Sequence, residues 1–151
     1  MLQKLLIKFI GLVLLLVLPN VSAIAADSVK TTARTVTKIT EGVYVIRHKD
    51  APDTFPQSNT TVIIGEREVL VVDSCYLPSS AKEDIAQIRQ WTNKPVRYLV
   101  NTHWHYDHTM GNGVYWEPFP FLTIIAHTET AKQSVNYNPG WFERFPRRAG
   151  A

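Results

Sequence analysis

The chain has 151 residues, a formal charge of +3 and a pI near 9.1. Lys4 and Lys8 sit in an N-terminal leader, leaving 14 basic residues against 13 acidic ones, a balance too even for a nucleic-acid-binding face. Cys75 is the single cysteine, which excludes an intrachain disulfide and leaves stability to packing.

The chain opens MLQKLLIK, continues FIGLVLLLVLP and then NVSAIAAD. A short basic segment, an apolar run of about ten residues and a small-residue stretch form the pattern of a secretory signal peptide. The apolar run falls short of the roughly 20 residues that span a bilayer, and Pro19 closes it. The expectation is export to the periplasm or beyond, with cleavage after Ala25 or Ala26 and no membrane attachment afterwards. The domain organisation read from this is a signal peptide at 1–26, a polar lead-in at 27–39 and a folded domain at 40–151.

Gly42 to Ile46 alternates and branches as a strand does. Residues 50–60, with two prolines and several turn formers, predict a loop. Thr61–Ile64 and Val69–Val72 predict two buried strands joined by the polar turn Gly65–Glu68. Cys75, directly after VLVVDS, reads as a small buried residue in preference to a nucleophile. Residues 79–92 predict a helix, with Ser80 and Glu83 as a capping box and Ala81, Ile85, Ile88 and Trp91 on its apolar side. Val96–Val100 predicts a further strand, Gly111 to Gly113 a turn, Leu122–Ala126 a strand and Thr128–Val135 a short helix. Strands and helices in alternation imply αβ layering. Trp141, Phe142 and Phe145 lie in a final stretch with neither period, and no later element is there to cover them. Arg144, Arg147 and Arg148 in the same stretch read as a solvated tail.

Straight after the Val96–Val100 strand comes NTHWHYDHTMGN, which places His103, His105, Asp107 and His108 within six positions. Imidazole and carboxylate together suit zinc or another first-row metal better than calcium or magnesium. On an extended backbone His103 and His105 share a face, while Trp104 and Tyr106 point the other way, towards packing. A turn into a helix at Asp107–His108 brings the second pair beside the first. The pattern predicts two adjacent metal positions, one on His103 and His105 and the other on Asp107 and His108. His48 and His127, each alone at a strand end, read as structural or surface residues.

His103-Trp-His105-Tyr-Asp107-His108 resembles the HxHxDH signature of the metallo-β-lactamase superfamily. VLVVDS resembles the family's preceding strand that ends in aspartate, here Asp73, and TIIAHTET its following strand and helix. The resemblance covers residues from about 40 to 135. It implies an α+β fold, the αββα four-layer sandwich, here as its N-terminal half. It further implies a zinc-dependent hydrolase with one or two ions, attacking a small ester, lactam, lactone or related substrate with metal-bound hydroxide. Asp107 would be both ligand and catalytic group, and Asp73 would orient a ligand. The family's further ligands lie in the later half of its domain. Here His127 is the one histidine after His108, and no aspartate follows Asp107. Two other readings stay open: a truncated, non-catalytic remnant with an incomplete metal site, and an iron-dependent sulfur dioxygenase using the same ligand types.

Overall fold

The structure is a computed structural model and describes residues 33–137. The expected leader at 1–26 and the aromatic residues beyond 140 lie outside the described residues. Among the described residues, no helix is long and apolar enough to cross a membrane. In chain order the elements are β1 (Thr35–Thr40), β2 (Val43–Arg47), β3 (Thr60–Ile64), β4 (Val69–Val72), α1 (Pro78–Trp91), β5 (Val96–Asn101), α2 (Tyr106–Thr109), α3 (Asn112–Trp116), β6 (Thr123–Ala126) and α4 (Thr128–Tyr137).

The six strands form one sheet in sequence order. β1 to β4 pair antiparallel, and β4, β5 and β6 pair parallel. The change of sense follows from the connections, since two parallel neighbours need a crossover long enough to return the chain, and α1 supplies it. This is the α+β architecture that the sequence implies, and one sheet of the sandwich falls within the described residues.

Register across the sheet explains which residues face the helices. Val62, Val71 and Leu99 stand side by side, are fully buried, and form a core with Ile85 and Ile88 of α1 and Tyr115 of α3. Trp91, at the end of α1, stacks on Tyr44 of β2 with ring centroids 4.1 Å apart. The residues one step along each strand point to the other face. There Ile63 is 39% and Ile125 44% exposed, so an apolar surface remains open on the side that a second sheet covers in the αββα arrangement.

Three local expectations change. The lead-in expected at 27–39 contains β1, which pairs with β2 although its side chains are exposed, so its order comes from the hydrogen-bond ladder and its polar composition hides it. Helix α1 starts at Pro78, with Leu77 as its cap residue and no side-chain cap bond, so the Ser80–Glu83 capping box does not form. Ser80 instead lies buried inside the helix, because proline's preset φ starts the helix two residues earlier. Gly111 to Gly113 is no turn: Gly111 caps α3 and Asn112 begins it.

Candidate metal centre

Parallel β4 and β5 end at the same edge of the sheet, and the Asp73 amide donates to the Val100 carbonyl at 2.8 Å. The loop after β4 and the motif after β5 therefore lie side by side at the carboxyl ends of the strands, the usual place for a site in layered αβ folds. β5 ends at Asn101 and the chain bends from Thr102, so the extended run expected past Val100 stops earlier. His103 and His105 nevertheless come together, with ring centroids 4.6 Å apart. Tyr106 is 39% exposed, against the expectation that it points into packing.

Helix α2 carries Asp107 and His108 to the first pair, as expected from a turn at that point. The His108 ring lies 3.9 Å from that of His103, and its Nε2 is 3.2 Å from Asp107 Oδ2. The four side chains gather in neighbouring pairs, but no three of them have ligand atoms all within 4.8 Å of one another. Among the described residues that spacing is met by His48, Cys75 and Asp84.

Asp73 holds the arrangement from behind. Its carboxylate accepts from the Thr102 amide at 2.9 Å, from the Thr102 hydroxyl at 2.8 Å and from His108 Nδ1 at 2.8 Å. It does so with φ of 59°, a left-handed conformation that aspartate tolerates better than most residues. Burial disfavours the His108 imidazolium, but the Asp73 bond and the charges of Asp73 and Asp107 outweigh it and raise its pKa. His103 shifts the other way: burial and its two histidine neighbours lower its pKa, favouring the neutral ring that a metal requires.

Below these side chains lies a polar network that ligand spacing alone does not reveal. The His108 carbonyl accepts from the Ser74 amide at 3.0 Å, the Ser74 hydroxyl at 3.2 Å and Asn101 Nδ2 at 3.0 Å. Asn101 and Asn112 pair amide to amide, at 3.1 and 2.7 Å. Ser74 donates to the same Asn112 oxygen at 2.7 Å. These three buried residues fasten the α2 backbone to the sheet edge. Their signal in the sequence is two asparagines bracketing the histidine motif.

The isolated histidines lie outside the strand-end cluster and are held by hydrogen bonds of their own. His127 Nδ1 accepts the Glu129 amide at 3.2 Å and caps α4. His48 is buried in an ion cluster with Asp84 and Arg34. Cys75 is fully buried, and burial pushes its thiol pKa up, which fits a packing residue better than a nucleophile.

A family model of the metallo-beta-lactamase superfamily matches residues 53–149. The chain belongs to the metallo-β-lactamase superfamily. Its fold is similar to the metallo-β-lactamase FIM-1 from Pseudomonas aeruginosa in its mono-zinc form, with a TM-score of 0.57 and 22% identity, over 71% of this chain and 47% of that one. It is also similar to a metallo-β-lactamase from Hirschia baltica, with a TM-score of 0.59 and 19% identity, over 70% and 48% of the two chains. A 75-residue stretch is 35% identical to the alkyl/aryl-sulfatase BDS1 of Saccharomyces cerevisiae, spanning 49% of this chain and 11% of that protein. The chain thus spans about half the length of these superfamily structures and a smaller part of the sulfatase.

Proposed function

We propose that the strand-end cluster holds zinc and that the protein of which it is part hydrolyses a small ester, lactam, lactone or sulfate ester. The observation that carries this reading is the Asp73–His108–Asp107 line. Asp73 fixes Nδ1 of His108 at 2.8 Å and leaves Nε2 turned to the side where Asp107 stands. A carboxylate orienting a histidine in this way is the usual outer support of a metal ligand. The donor set of three imidazoles and one carboxylate fits zinc by type. His103 and His105 would hold one ion, and Asp107 and His108 a second. When bound, zinc lowers the pKa of water and polarises a carbonyl, phosphoryl or sulfuryl oxygen. Asp107, beside the cluster and only partly buried, would take up a proton at the carboxylate oxygen left free by the ion and pass it to a leaving group. The stretch shared with a sulfatase brings sulfate esters into the substrate class. We further infer that residues 1–26 direct export, which N-terminal sequencing of periplasmic protein tests by its start at Ala26 or Asp27.

A second reading, a remnant with an incomplete site, is favoured by one observation: the four ligands gather in pairs without closing into a compact set of three. One experiment separates the two. The purified full chain is assayed for bound zinc and for hydrolysis of a chromogenic β-lactam, an aryl ester, a lactone and an aryl sulfate. The hydrolase reading expects zinc held at the strand-end cluster through dialysis and turnover of at least one substrate; turnover and that share of the zinc are both lost in the His103→Ala/His105→Ala variant. Dialysable zinc with no turnover supports the remnant. Stability should move by less than about 1 kcal/mol in that variant, since neither ring is buried; chemical denaturation checks this.

Asp73→Asn tests the supporting carboxylate. The amide keeps an acceptor for Thr102 but offers His108 the wrong partner. The expected result is a fold destabilised by about 1–2 kcal/mol and zinc affinity at the cluster lowered about 10–100-fold, read by competition with a chromogenic chelator.

A further inference from the structure

We propose that His48, Cys75 and Asp84 form a second, buried site for a divalent ion of the zinc type, separate from the strand-end cluster. The three residues come from different segments: the residue just after β2, the loop after β4, and the middle of α1. One ligand atom from each lies within 4.8 Å of the other two, and all three residues are buried. Thiolate, imidazole and carboxylate together are a donor set for zinc or cobalt and a poor one for magnesium or calcium.

The orientation of each ligand is already set. His48 Nδ1 donates to the Ser58 carbonyl at 2.6 Å, which leaves Nε2 directed at Asp84 Oδ2, 2.8 Å away. Arg34 Nη2 donates to the other Asp84 oxygen at 3.1 Å, so Oδ2 is the one directed inwards. This is the outer-shell pattern that fixes metal ligands, with a carbonyl behind the histidine and a donor behind the carboxylate.

An Arg34–Asp84–His48 ion cluster would by itself explain the hydrogen bonds, but it needs no sulfur. Cys75 brings its Sγ to the cluster from a backbone with φ of 61°, a left-handed conformation unfavourable for a non-glycine residue. The Tyr115 hydroxyl, under the influence of Asp84, Cys75 and Arg34, is fully buried with no hydrogen-bond partner among the described residues. Tyr115 is thus an unpartnered buried polar group close enough to Asp84 and Cys75 to feel their charge.

Charge balances as well. Both ring nitrogens of His48 face acceptors, so the metal-free ring carries two protons. A divalent ion entering displaces the Nε2 proton of His48 and the Sγ proton of Cys75 to solvent. Two positive charges arrive as two protons depart, and the net charge of the buried cluster is unchanged; nothing is oxidised or reduced. Since the site is enclosed, the ion enters as the chain folds and ties α1 to the sheet.

Cys75 is the only cysteine in the chain and the strand-end cluster has no sulfur, so a thiolate-to-cobalt charge-transfer band reports this site alone. The full chain is refolded with Co²⁺ and its near-ultraviolet absorption recorded, together with the rate at which a thiol reagent modifies Cys75. The expected result is a charge-transfer band, a protected thiol and no band when excess Zn²⁺ accompanies Co²⁺ during refolding. The band should survive His103→Ala/His105→Ala, which separates this site from the proposed hydrolytic one. His48→Gln should weaken cobalt binding about tenfold or more, and Cys75→Ala should abolish the band. Absence of the band in the unmodified chain, with the thiol equally reactive with and without cobalt, overturns the proposal whether or not any variant folds. A band undiminished in His48→Gln overturns it too, because a lone thiol would then be the binder.

Discussion

Asp84→Ala is expected to destabilise the metal-free chain by about 3–5 kcal/mol, measured by urea denaturation near neutral pH. Asp84 is fully buried in the middle of α1, and its two oxygens serve two cations, Arg34 Nη2 at 3.1 Å and His48 Nε2 at 2.8 Å. Removing it strands both partners, one of them almost wholly enclosed, and an unpaired buried charge is what makes such a loss expensive. The double variant with His48→Gln should cost less than the sum of the two single changes, because the first change already removes the bond that the second would break. A simple additive result would show that the two residues are not coupled.

The same pair fixes the sign of a pH effect. Burial works against the His48 imidazolium, yet the bond to Asp84 and its charge, with the Ser58 carbonyl, raise the pKa above its ordinary value of 6.5. A raised histidine pKa contributes stability that is fully present below about 6.5 and is lost as pH rises through the folded-state value. Denaturation midpoints of the metal-free chain should fall across that window, and the Asp84→Ala chain should show a smaller fall.

Gly111→Ala is the second large effect, about 3 kcal/mol, at the upper end of overpacking costs. A Cβ at this position would stand 2.0 Å from the Ser74 carbonyl oxygen, 3.0 Å from its carbon and 2.9 Å from the Ala81 Cβ. Two of those atoms are backbone, so the clash is not relieved by turning a side chain. Either α3 moves away from α1 or the loop after β4 shifts, and that loop carries Asp73 and Ser74. The change should therefore loosen the metal centre as well as the core. Thermal melting together with zinc retention would reveal both; a melting temperature unchanged by the methyl group would refute the close approach. The φ of Gly111 is an ordinary −78°, so its requirement is space and not backbone freedom.

The chain's own residue order was enough to place the parts that depend on local periodicity and chemistry. An alternating branched run marked β2, near-continuous apolar runs marked β3 and β4, the spacing of Ala81, Ile85 and Ile88 marked α1, and three histidines with an aspartate after a strand marked the family. These signals are local because strand and helix periods, and ligand spacing within one bend, are set by neighbours a few residues apart. What only the folded arrangement decided depends on residues far apart in the chain. β1 is a strand because β2 pairs with it, not because its polar side chains ask for burial. Gly111 must be small because the Ser74 backbone crosses it. Asp73 supports His108 across 35 positions, and His48, Cys75 and Asp84 meet from three segments with no common spacing. Register and crossover bring such residues together, and neither is written in any short stretch of sequence.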